Sequence, residues 1–113
     1  MAFYLIKAKY SAQGFRGILE RPQDIADSTK VVLAACGVEP YKIFYSLATG
    51  ALILILELDA RQLGALEIVI MCGGDFQEVS IEEMMRTQDF KSSSILSKEI
   101  VDVLHGEAKH AAE

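Results

Sequence analysis

Four segments of the chain are rich in branched and aromatic residues, and the segments between them carry apolar residues at helical spacing. The predicted strands are residues 3–10, 38–47, 51–58 and 76–84. The third, from Ala51 to Leu58, is apolar at every position except Glu57. A strand with one wet face alternates between polar and apolar residues. This strand does not alternate, so we expect both faces of the sheet to be covered.

Four helical segments are predicted between and after the strands. Residues 11–21 form a short helical turn, with Phe15, Ile18 and Leu19 directed inward. A helix then runs from Pro22 to a stop at Gly37. The next helix starts after Asp59, a suitable N-cap, and ends at residues 72–74. Its apolar stripe, like that of the helix before it, follows helical spacing.

The last predicted helix begins near Asp89 and ends near Gly106, with a serine of residues 92–94 capping its start. Residues 107–113 are small and polar, and we expect them to fray. The apolar stripe of this last helix consists of Ile95, Leu96, Ile100, Val103 and Leu104.

The order of these elements, βαββαβ followed by a C-terminal helix, predicts an α+β chain of ferredoxin-like topology. In that fold an antiparallel sheet carries both crossover helices on one face. Residues 1–88 make up this domain, and residues 89–113 the C-terminal helix and tail. Because the non-alternating third strand needs a cover on the second face, we predict a homodimer or higher homo-oligomer.

Composition narrows the classes of partner. The net charge is −5 and the basic residues are scattered, which argues against nucleic-acid binding. No apolar run reaches the roughly 18 residues of a membrane span, and the start lacks the pattern of a signal peptide. Two cysteines without dense spacing are typical of a reducing cytoplasm, so a cytoplasmic location is expected.

The candidate site lies on the sheet face away from the helices. By alternation Lys7 and Lys9 share that face with Glu57 and Glu78, near either Tyr45 or Phe44 depending on the register. One interpretation is a small-molecule pocket in which Lys7 holds an anionic group and a carboxylate acts as acid or base. In the other, the lysines reach to water and the carboxylates pair structurally. The candidate ligand-binding residues are Lys7, Lys9, Tyr45, Glu57 and Glu78.

The other residues with chemical potential favour structural roles. Cys36 and Cys72 each precede a glycine that ends a helix and are interpreted as small buried residues. His105 and His110 lie in the C-terminal segment without further well-placed ligands, so neither a metal nor a cofactor is expected. Six aromatic residues could line a pocket, but packing in the core or an interface is the favoured interpretation; they are Phe3, Tyr4, Tyr10, Tyr41, Phe44 and Tyr45.

Several short stretches resemble the small bacterial GYD-domain proteins. They are Phe3-Tyr4-Leu5-Ile6, Tyr10-Ser11, Gly14 with Gly17-Ile18-Leu19 and Pro22, Phe44-Tyr45, and Gly50 before an apolar strand that ends in Glu57. The Gly-Tyr-Asp triplet that names the family is retained only at Gly50, where Ala51 and Leu52 follow. The resemblance implies a ferredoxin-like subunit that pairs its sheet with a second copy in a dimeric α+β barrel.

Two kinds of function remain open from the sequence. One is an oligomeric module that binds a small ligand or acts through assembly. The alternative is a cofactor-free enzyme of the dimeric-barrel type, a monooxygenase or an isomerase. Such an enzyme needs a base deep in its cavity, and no histidine lies on a predicted strand. The sequence therefore favours the non-enzymatic module and identifies no catalytic residue.

Overall fold

The computed structural model describes residues 1–112, except for the side chains of residues 40, 41 and 107–112. The side chains of Tyr41 and His110, named above, are among these exceptions. The elements are β1 (Ala2–Tyr10), α1 (Ala12–Glu20), α2 (Ile25–Ala35), β2 (Pro40–Ser46), β3 (Ala51–Leu58), α3 (Ala60–Cys72), β4 (Phe76–Met84) and α4 (Thr87–Ala112). The strands form one antiparallel sheet in the order β2-β3-β1-β4. This is the ferredoxin-like α+β topology that the sequence predicts.

The core lies between one face of the sheet and the helices. Even-numbered residues of β1 and β3 point into it, because successive side chains of a strand point to opposite faces. Leu33 of α2 and Leu66 and Ile70 of α3 close the core from the helix side. The sheet residues buried on this core side are Ile6, Ala8, Tyr10, Leu52, Leu54, Leu56 and Leu58.

Local chemistry fixes where the two crossover helices begin. Asp59 accepts a hydrogen bond from the Gln62 N–H at 2.8 Å, and the Gln62 side chain accepts one from the Asp59 N–H at 3.0 Å. This reciprocal capping box confirms the predicted start of α3. The start predicted for α2 at Pro22 is wrong. Asp24 accepts from the Ala26 N–H at 2.9 Å, so the helix begins at Ile25.

Gly14 holds α1 against the strand ends. A Cβ at this position would collide with the Asp75 carbonyl oxygen and lie 3.0 Å from Cδ1 of Tyr10. Ser11 completes the junction: its hydroxyl donates to the Gly74 carbonyl at 2.6 Å and accepts from the Gly14 N–H at 3.1 Å. Only a glycine permits this close approach.

Three predicted side-chain placements are wrong. Leu19 is 79% exposed rather than directed inward, because α1 packs mainly through Gly14 and Ile18. Cys72 is exposed at the end of α3, whereas Cys36 is half-buried. Strict alternation along residues 76–84 predicts that Phe76 shares a face with Glu78. Phe76 instead lies on the core side, opposite Tyr10, because a bulge between Lys9 and Tyr10 shifts the register of β4.

The C-terminal helix also differs from its prediction. It starts at Thr87 and continues to Ala112, past Gly106, and Glu113 lies outside the described residues. The serines predicted to cap it lie inside it and donate to carbonyls one turn back, as Ser94 does to Phe90 at 2.9 Å. All side chains from Ser94 to His105 are exposed.

Candidate functional site

The sheet face away from the core, here named the open face, carries most of the predicted site. No helix of the described residues packs on it, since α1–α3 lie against the core and the α4 side chains from Ser94 to His105 are exposed. The open face consists of Phe3, Leu5, Lys7 and Lys9 of β1, Lys42, Phe44 and Ser46 of β2, Ala51, Ile53, Ile55 and Glu57 of β3, and Glu78, Ser80, Glu82 and Met84 of β4.

Three of the predicted site residues come together on this face. Lys9 pairs across the strands with Glu78 on one side and Ala51 on the other, and Lys7 lies one row further along β1, between Ser80 and Ile53. Both lysines and Glu78 are exposed. This end of the face therefore has ammonium groups beside small side chains.

Glu57 lies at the opposite end of the open face. It pairs with Phe3, four residues before Lys7 on β1, so it is roughly 13 Å away along the strand. Its half-buried side chain borders two clefts of about 870 and 650 Å³; the smaller also contains Arg86. The guanidinium carbon of Arg86 lies 4.8 Å from the centre of the Phe3 ring.

Tyr45 lies on the other side of the sheet. It pairs with the buried Leu52, whereas its neighbour Phe44 pairs with Ile53 on the open face and is 55% exposed. The register thus places Phe44, rather than Tyr45, on the open face, in the row of Lys7 and separated from it by Ile53.

Tyr45 instead joins an aromatic cluster around Tyr10. The ring of Tyr10 lies 4.7 Å from that of Phe76, 5.5 Å from that of Phe15 and 6.3 Å from that of Tyr45, measured between centroids. Burial raises the pKa of Tyr10 from 10.0 to about 12, with further contributions from Tyr45 and Asp75. Its hydroxyl is therefore a neutral hydrogen-bond donor at ordinary pH.

One row across the open face was missed by sequence reasoning. Lys42 pairs with Ile55, Ile55 with Leu5, and Leu5 with Glu82, so the row runs from a cation through two aliphatic side chains to a carboxylate. We name it the edge-to-edge row. Alternation along β2 and β4 places Lys42 and Glu82 on this face, but only the register aligns them.

The remaining candidates form no chemical centre among the described residues. His105 is an exposed residue of α4. No group of three or more histidine, cysteine, aspartate or glutamate residues in the described part of the chain is arranged to hold a metal ion.

No protein-family model, no curated protein and no solved structure matches the chain. None of the helices described has the length and apolar character needed to cross a bilayer.

Proposed function

We propose that this chain is a self-associating module in which two copies pair open face to open face and close a cleft for a small anionic ligand. The edge-to-edge row carries the proposal. Its aliphatic centre, Leu5 and Ile55, is only half-buried within one copy, and its two ends carry opposite charges. A symmetric interface must be complementary to itself.

A twofold axis parallel to the strands satisfies this condition. Such an axis places β2 of one copy over β4 of the other, and β1 over β3. Lys42 then faces Glu82 of the second copy, and Leu5 faces Ile55. Paired sheets stack about 10 Å apart, a gap that aliphatic side chains fill from both sides and that long charged side chains span at the edges.

The end of the open face that carries Lys9 and Glu78 is the proposed cleft. Under the same axis Lys9 faces Ala51 and Glu78 faces Ser46, side chains too small to fill the gap between sheets. Lys7 and Lys9 from both copies bring four ammonium groups to this space. Glu78 is the carboxylate paired across the strands with Lys9. An anionic ligand would offset the remaining charge, which is costly to leave unpaired in a closed space.

The resemblance to GYD-domain proteins supports the same arrangement, because it implies sheets that pair in a dimeric α+β barrel. Half of the residues are hydrophobic, which also suits an interface in a chain of 113 residues.

Charge swaps at the two ends of the row test the pairing. Both residues are exposed, so Lys42→Glu and Glu82→Lys should fold normally. In the proposed dimer, residue 42 of each copy faces residue 82 of the other, so each single variant creates two contacts between like charges. We expect the dissociation constant of the dimer to rise roughly tenfold. The double variant should restore it. Analytical ultracentrifugation measures the constants, with Lys91→Glu on α4 as the control.

Single variants that dissociate no more readily than the control would contradict the pairing, as would a monomeric native chain. For the cleft, citrate should stabilise the native dimer and not its Lys7→Met variant. An equal effect of citrate on both would rule out Lys7 as its ligand.

A further inference from the structure

A second cavity lies on the core side of the sheet, independent of the proposed dimer cleft. Its volume is about 370 Å³, it opens to solvent, and α1, α2 and the residues that begin β4 line it. Ligand pockets start near 300 Å³. Its floor is aromatic and aliphatic, formed by Tyr10, Phe76, Ile18, Ile25 and Val32.

A smaller apolar chamber of about 190 Å³ adjoins this cavity. The two share Thr29, Val32, Asp75 and Phe76 in their walls. The rest of the chamber lies between α2, α3 and the sheet and is lined by apolar side chains and Gly73. The larger cavity, with Arg21 and Asp75, is therefore the polar end, here named the mouth, and the unshared part of the chamber is an apolar interior.

The mouth carries one cation and one anion. Arg21 and Asp75 both line it, and among the described side chains neither takes part in an ion pair. Arg21 is held at the end of α1 by its N–H, which donates to the Gly17 carbonyl at 3.1 Å, and the Asp75 backbone is held by the hydrogen bond from the Ser11 N–H at 2.8 Å.

Opposite charges at a mouth above an apolar interior match one class of small molecule. We propose that this cavity binds an apolar α-amino acid, with its carboxylate at Arg21, its ammonium at Asp75 and its side chain directed toward the chamber. The hydroxyl of Tyr10, held in its neutral form, adds a hydrogen-bond donor without a charge of its own.

Gly17 offers a way to fill the cavity without disturbing the fold. It lines the cavity, and a Cβ at this position meets no atom within 4 Å. Gly64 in α3 has the same free space and does not line the cavity, so it provides a matched control. Leucine at either position also favours the helix over glycine.

The test is a titration of the native chain, Gly17→Leu and Gly64→Leu with L-leucine and L-phenylalanine, followed by calorimetry and thermal unfolding. We expect saturable binding to the native chain and the Gly64 variant, and at least a tenfold loss in the Gly17 variant. Absence of saturable binding to the native chain, or equal binding to both variants, would overturn the proposal.

The Arg21→Gln variant tests recognition of the amino acid's carboxylate separately from recognition of its apolar side chain. It should weaken L-leucine binding roughly tenfold and leave binding of leucinamide, which lacks the carboxylate, unchanged. Equal losses for both compounds would contradict the assigned orientation. The variants lie away from the open face, so an unchanged dissociation constant for the dimer separates this result from the proposed function.

Discussion

At the scale of single residues, Tyr10 links the aromatic cluster to the stability of the chain. Its folded pKa of about 12 lies above its ordinary value of 10.0. Below the ordinary value both states keep the proton and the stabilisation is complete. As the pH rises toward the folded pKa, the unfolded chain loses its proton first, so the free energy of unfolding falls.

We expect this loss to be on the order of 1 kcal/mol, because solvent near the hydroxyl screens part of the effect. Urea unfolding from about pH 9 to about pH 12 measures it. The fall should be smaller in Tyr10→Phe than in the control Tyr4→Phe. Parallel profiles for the two variants would show that Tyr10 does not titrate as assigned.

Residue placements were predictable where a strict period of two held. The alternation in β1 separates Lys7 and Lys9 from the buried Ile6 and Ala8, as observed. In β4 the alternation fails at Phe76, because a bulge inserts one residue and moves the Phe76 side chain to the opposite face of the sheet. It also cannot choose between Phe44 and Tyr45, since that depends on which residues β3 places beside them.

At the scale of elements, the start of α3 was predictable because its signal is local. Asp59 and Gln62 lie three residues apart and cap each other. Asp59→Ala should lower the free energy of unfolding by about 1 kcal/mol. Asp27→Ala, in the first turn of α2 but not at its cap, is the control for losing an exposed carboxylate. Equal urea midpoints for both variants would show that the capping box adds no stability.

The cavity beside α1 was not predictable at this scale. Arg21 and Asp75 are distant in sequence, and they line one cavity because α1 packs against the Asp75 backbone at Gly14. Neither residue belongs to a motif.

The amphipathic pattern of α4, by contrast, is plain in the sequence, and its apolar residues are exposed: Leu96, Ile100, Val103 and Leu104.

At the scale of the whole molecule, neighbouring residues of β3 separate folding from assembly. Leu54 is 1% exposed in the core, whereas Ile53 lies on the open face. Leu54→Lys buries an unpaired charge and should cost about 4 kcal/mol of folding stability. Ile53→Lys should raise the dimer dissociation constant at least about a hundredfold. Its circular dichroism spectrum and its midpoint of thermal unfolding should stay near those of the native chain diluted to the monomer.

Light scattering and circular dichroism on the two variants distinguish these outcomes. An Ile53→Lys chain that keeps the dimeric mass would show that the open face is not the interface. A folded Leu54→Lys chain would contradict the position of the core.

The edge-to-edge row has a consequence for how such chains could diverge after gene duplication. A copy that acquires Lys42→Glu has two acidic row ends, and a copy that acquires Glu82→Lys has two basic ones. On the proposed pairing each copy repels itself and attracts the other. One substitution in each duplicate would therefore turn a protein that pairs with itself into two proteins that need each other.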